Sequence, residues 1–188
     1  VEERYQNLDT RTISGFDIAL YYSLTNTFGN FNFSLNIAKL EKFKQTAGND
    51  FIKLIEAQES GVIPKELSIS GFSDLLKKDG SPEIQASIKF IWNKGSWGLG
   101  LFAKHIGEFY ESRNRLSDGR LWKVKAYNTI NGHVDYYFNL NSSNSRIRLG
   151  INNIADERAP LASDIFGYYF DKHDNLGRYY YIDLSYKF

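Results

Sequence analysis

The residues that could carry chemistry are few. Three histidines, His105, His133 and His173, lie far apart, with no spacing that would set two imidazoles on one metal ion. The chain has no cysteine, which excludes a disulfide framework and a thiolate metal site. Asp171-Lys172-His173-Asp174-Asn175 with Gly177 supplies oxygen ligands of the kind calcium takes. It lacks the EF-hand register and closing glutamate, so it reads as a turn. The glycine-rich run from Gly95 to Gly100 is followed by no helix and is not a phosphate cradle; its glycines suit close packing in a strand. A Ser–His–Asn hydrolytic site is recognised by geometry rather than spacing, and lipid hydrolysis is the activity that would reveal one. No catalytic, metal or cofactor-binding residue is singled out. The chain is not read as an enzyme, and no cofactor is expected.

What remains is charge at alternating positions. Asp17, Lys89, Lys125, Arg146, Arg148, Asp183 and Lys187 all fall opposite apolar neighbours. Successive side chains of a strand point to opposite faces, so these groups gather on one face. Their ordinary role there is pairing with neighbouring strands or with a domain inside the sheet. Tyr21, Tyr179 and Tyr181 share that face and would pack rather than react.

The elements that must position them are strands. Tyr180, Ile182, Leu184, Tyr186 and Phe188 alternate with Tyr179, Tyr181, Asp183, Ser185 and Lys187. Ile147, Leu149 and Ile151 alternate with Arg146, Arg148 and Gly150, and the same period recurs from Phe16, Phe31, Ile84, Trp97 and Trp122. Seven strands are predicted, near residues 10–24, 29–41, 83–93, 96–110, 121–139, 145–154 and 178–188. Several exceed the usual globular strand of about five or six residues and reach the roughly nine to eleven that cross a bilayer.

Connections alternate without exception. Short ones fall near 25–28, 93–95 and 141–144; long ones fall near 42–82, 111–120 and 155–177. Up-and-down membrane barrels connect their strands this way, with tight periplasmic turns and long outer loops, whereas a soluble sandwich has no reason to. The chain should therefore end on the periplasmic side. In the first long connection Phe51, Ile52 and Ile55 have helical spacing, with Asn49 or Asp50 as cap and Gly61 and Pro64 beyond the end. A second turn of helix is predicted over Ser73 to Lys78, stopped by Gly80. The first helix suits a cover for a barrel mouth or a surface decoration equally.

Composition agrees. The 188 residues carry 23 basic and 22 acidic side chains, a balance that argues against a nucleic-acid partner. Aromatics make up 16% of a chain whose mean hydropathy is −0.43. That combination fits a sheet with one wet face, or a barrel with lipid outside and water inside. Trp92, Trp97 and Trp122 suit the boundary between lipid and water: the first two flank a short turn and would mark the periplasmic rim, the third the outer rim. The chain has no methionine and shows no signal peptide at Val1, so it is expected to be part of a longer protein.

Two segments then point to a family. The ending Gly177-Arg178-Tyr179-Tyr180-Tyr181-Ile182-Asp183-Leu184-Ser185-Tyr186-Lys187-Phe188 resembles the last strand of TonB-dependent receptors. Leu149-Gly150-Ile151-Asn152-Asn153-Ile154-Ala155-Asp156-Glu157 resembles that family's penultimate strand and its exit. Asp9 to Asp17, and Gly71 to Pro82 with the strand ending at Trp92, are similar to mid-barrel segments. The resemblance implies an all-β, antiparallel up-and-down barrel wall, residues 1–188 being about the last seven strands of about 22. A plug domain and earlier strands would lie outside this sequence. It implies active uptake of a bulky scarce nutrient, such as a metal chelate, a cobalamin-like molecule or an oligosaccharide, across a Gram-negative outer membrane. Implied partners are outer-membrane lipid, the protein's own plug, the TonB energy-transducing complex and the barrel-assembly machinery. The last of these would read Tyr180, Ile182, Leu184, Tyr186 and Phe188. No ligand signature is legible. A passive porin, a small stand-alone barrel (should an eighth strand close it) and a soluble β-sandwich binding module are the competing readings.

Overall fold

A computed structural model describes residues 10–65, 67, 69, 71–140 and 143–186. In chain order the elements are β1 (Arg11–Asn26), β2 (Gly29–Gln45), α1 (Asn49–Glu59), β3 (Ser73–Asp74), β4 (Ile84–Lys94), β5 (Trp97–Ile106), β6 (Phe109–Arg115), β7 (Leu121–Val124), β8 (Tyr127–Leu140), β9 (Ser143–Asn152) and β10 (Tyr179–Tyr186). One antiparallel sheet runs β1-β2-β4-β5-β8-β9-β10, with β3 added to the end of β2. Among the described residues β1 and β10 each pair on one side only, so the sheet is open.

The ladder aligns like with like. One row runs Tyr22, Phe33, Phe90, Leu101, Gly132, Ile151 and Tyr180 across all seven strands. The next row, one residue along, runs Ser23, Asn32, Ile91, Gly100, His133, Gly150 and Tyr181. A register slip of one residue would send each side chain to the wrong face, so this pairing is strongly specified.

The apolar face is not covered. Leu20, Tyr22, Ile88, Leu101, Val134, Leu149, Ile182 and Leu184 are all exposed on it. An apolar surface of that extent in water is an aggregation site; in hydrocarbon it is the required finish. Among the described residues the buried apolar ones are Ile106, Phe109, Val124 and Tyr127, which sit at the rim where the long connections gather. A sandwich would instead bury its aromatic face against a second sheet.

The turns at 27–28 and 95–96 and the paired ends Leu140 and Ser143 of β8 and β9 lie at one rim, and the long connections between β2 and β4, β5 and β8, and β9 and β10 lie at the other. Gly95 takes a φ of 54°, the left-handed conformation that a two-residue hairpin turn exploits. Trp92 closes the same rim by donating its indole N–H to the Phe28 carbonyl at 2.9 Å.

Three sequence expectations change. The strand expected near 96–110 stops at Ile106, where the Gly107 N–H turns aside to Ile84 O at 2.8 Å. The run expected as one strand near 121–139 is two, β7 and β8. Residues 109–115 and 121–124 form a separate hairpin above the sheet. The hairpin buries Phe109 and Val124, which stand three residues from the buried Ile106 and Tyr127, so the period of two shifts by one at each break. The second helical turn over Ser73 to Lys78 is absent. Ser73 and Lys77 have positive φ, and Ser73–Asp74 instead pairs with the end of β2. The helix at 49–59 is present, but Gly48 holds its N-cap and no side chain caps it.

Candidate functional site

Two structures distinguish this sheet from a plain wall: a charged seam on its polar face and a clasp of loops at the long-connection rim.

The seam lies across β8, β9 and β10. Asp135, Arg148 and Asp183 are register partners in one row. The Arg148 guanidinium donates from Nε to Asp135 Oδ1 at 2.6 Å and from Nη2 to Oδ2 at 2.9 Å. Arg146 pairs diagonally with Asp183 at 2.5 Å. His133 Nε2 stands 3.6 Å from Asp135 Oδ2, and the Tyr137 hydroxyl donates to the same oxygen at 3.4 Å. Asp135 is 3% exposed and its charge is met on several sides.

Glycines make room for this crowding. Gly100 faces His133, and Gly150 faces Tyr181. A Cβ at either glycine would collide with the ring opposite, so each ring lies flat over a bare backbone.

At the other rim the long connections interlock. The Glu111 carboxylate is 3% exposed. Its Oε1 accepts from the Ser163 N–H at 2.8 Å and hydroxyl at 2.9 Å, and its Oε2 accepts from Asn114 Nδ2 at 2.8 Å. Asp79 Oδ1 accepts from the Ser112 N–H at 2.8 Å, tying the first long connection to the second. The Trp122 indole donates to Leu161 O at 2.9 Å, tying the second to the third. Burial, then the nearby carboxylates of Glu111, Asp79 and Asp164, push the Tyr169 phenol well above its ordinary pKa. Lys77 donates to Glu83, holding that carboxyl below its usual range and raising the Lys77 ammonium.

The third connection then folds back over the polar face. Lys104 Nζ on β5 donates to Lys172 O at 3.4 Å, and the Tyr127 hydroxyl on β8 donates to Asp174 O at 2.7 Å. Asn131 Oδ1 accepts from the Asn153 N–H at 2.8 Å, fixing where that connection leaves β9. Beneath it lies a cleft of about 370 Å³ lined in part by Phe102, Lys104, Asn131, Asn152, Phe170 and Tyr179.

The structure places the sequence-derived residues as follows. Asp17, Lys89, Arg146, Arg148 and Asp183 share the polar face, and only the last three meet in the seam. Lys125 lies between β7 and β8, outside the sheet ladder, and Trp122 lies in the rim hairpin. Trp92 and Trp97 lie on the apolar face beside the tight turns, Trp97 packing on Tyr136 at 4.8 Å. Tyr180, Ile182, Leu184 and Tyr186 line the apolar face of β10. Lys187 and Phe188 lie outside the described residues. Asp135, Glu111 and Tyr127 were not singled out from sequence. Asp135 alternates with apolar neighbours as Asp17 does, and that was its available signal.

An antiparallel meander with an uncovered apolar face, a polar face and alternating short and long connections defines the wall of a transmembrane β-barrel. The family model described as TonB dependent receptor-like, beta-barrel matches residues 2–154. The chain therefore belongs to that family, whose members are receptors and transporters of the Gram-negative outer membrane that work with a plug domain and TonB. No curated protein and no solved structure matched the chain.

Proposed function

We propose that this wall serves active uptake of a bulky, scarce nutrient: a metal chelate, a cobalamin-like molecule or an oligosaccharide. The polar face lines the lumen, the long-connection rim faces outward, and the tight turns and the chain's C-terminus face the periplasm. Further strands complete a barrel of about 22, the number at which the lumen needs a plug. The charged seam is where that plug docks, with Lys89 and Asp17 further along the same wall; Lys187 is a further lumen-facing candidate by the alternation of the sequence. Trp92 and Trp97 anchor the periplasmic interface. The barrel-assembly machinery reads the outward residues of β10 together with Phe188.

The observation that carries this reading is the inward fold of the third long connection over the polar face. It narrows the mouth that a passive pore would leave open.

The test is growth of cells lacking this receptor on each nutrient class as sole source, with TonB working and with TonB deleted. Growth restored by the receptor only when TonB works supports the proposal. Equal restoration without TonB would make the protein a passive porin. Orientation is read separately from single cysteines at Leu161 and Phe28, both well exposed. A membrane-impermeant maleimide on intact cells should label the first and spare the second.

A further inference from the structure

We propose that the third long connection is an acid-released latch over the mouth, with His173 as its trigger. The proposal rests on the outward orientation given above. His173 is 3% exposed. Its ring lies parallel to Phe109, 7° between planes and 6.1 Å between centroids, and meets Tyr127 edge-on at 5.2 Å. Neither ring nitrogen has a hydrogen-bond partner among the described residues. The imidazole is thus buried in the rim's apolar cluster as a hydrophobe, with Ile106 and Val124 paired beside Tyr127 and Phe109.

That position admits the neutral ring and rejects the charged one. An imidazolium needs acceptors for two N–H groups, and none is in reach. The facing charges oppose it as well. Lys104 approaches from β5 and Lys172 from the connection itself, while the carboxylate that would favour the charge, Asp171, is already paired with Lys172 at 2.9 Å, and that of Asp174 accepts from the Leu176 N–H. The β6–β7 hairpin and β8 contribute only Phe109 and the Tyr127 ring, which carry no charge at these pH values. Burial, then Lys104, hold the His173 pKa below its ordinary value. When the connection lifts, the ring enters water and regains an ordinary pKa near 6.5.

The sign follows. The closed form excludes the proton and the open form accepts it. Closure is therefore complete above about pH 6.5 and weakens as pH falls, by up to about tenfold per unit until the buried ring itself titrates. What lifts is the segment that Tyr127 and Lys104 hold over the polar face, so acid widens the mouth and uncovers the cleft beneath.

The experiment uses the full receptor in outer membranes, with a single cysteine at Thr129, which lines that cleft, in a background free of other reactive thiols. Labelling by a bulky impermeant maleimide is followed from pH 7.5 to 5, and the Leu161 cysteine corrects for the pH dependence of the thiol. Corrected labelling should rise about tenfold per unit below about pH 6.5. His173→Phe should flatten the profile at its low, neutral-pH level. Should that variant not assemble, Tyr127→Phe serves instead. It removes the hydroxyl bond to Asp174 and should raise labelling at every pH while the acid rise persists. A flat profile in the parent, or an unchanged rise in His173→Phe, overturns the latch. Failure of the Leu161 cysteine to label overturns the orientation instead.

Discussion

Asp135 and Arg148 stand opposite each other on β8 and β9 and are joined by two N–H donors, from Nε and Nη2, to the two oxygens of one carboxylate. The planar fork of arginine fits that arrangement; a lysine at 148 would offer one point charge and lose the two-point contact. Arg148→Ala should destabilise the folded barrel by about 3 kcal/mol, because it strands a carboxylate that is almost fully buried. Arg148→Lys should recover less than half of that. The measure is the midpoint of heat-induced mobility shift in detergent gels. The double variant Asp135→Leu with Arg148→Leu should be more stable than either single change, since it leaves no orphan charge.

Gly150 and Tyr181 form a second cross-strand unit. Gly150→Ala should cost about 1–3 kcal/mol, the range for overpacking a filled site, as the added methyl meets the Tyr181 ring. Tyr181→Ala made together with it should remove most of the penalty of the alanine. Simple additivity in that double-mutant cycle would show that the ring does not depend on the glycine.

Glu111 holds the second and third long connections together. Glu111→Ala leaves the Ser163 N–H without its acceptor, a loss of about 1–3 kcal/mol if that group stays buried. The loss is local, so external protease should cut faster near residue 163 while the heat-shift midpoint of the barrel stays within a degree or two. A drop of the whole barrel's midpoint would contradict this separation of rim from wall.

The Lys77–Glu83 pair ties the first connection to the start of β4. Its carboxyl titrates below the usual carboxylate range because Lys77 donates to it. The pair's contribution is present above the ordinary carboxylate pKa and lost as pH falls through the lowered one. Proteolysis within 60–82 should therefore quicken below about pH 4 in the parent. In Glu83→Gln it should already be faster at neutral pH, with no further acid step at that site.

Phe188 continues, in the sequence, the alternation of Tyr180, Ile182, Leu184 and Tyr186. Phe188→Ser should lower the amount of assembled receptor in the outer membrane several-fold. Quantitative blotting of the heat-shiftable form is the check, and parental levels would remove Phe188 from the assembly signal.

The sequence by itself determined the two faces. Side chains alternate with a period of two whatever their neighbours, so the apolar and polar sets of Phe16–Leu24, Ile84–Trp92 and Tyr180–Tyr186 were legible residue by residue. The rhythm of short and long connections was legible for the same reason, since turn residues interrupt the alternation at Gly29, Gly95 and the segment before Ser143. Tertiary structure decided what those faces do with each other. Asp135 and Arg148 lie 13 residues apart, and Glu111 and Ser163 lie 52 apart. Only register and loop return bring them within hydrogen-bond reach. The same holds for the break at Gly107, where the strand ends because the Gly107 N–H turns to Ile84 O, a partner 23 residues away. Local period reports that a residue is covered, but not by what. That is why His173 reads as part of a turn in the sequence and is, in the fold, a buried ring stacked on Phe109.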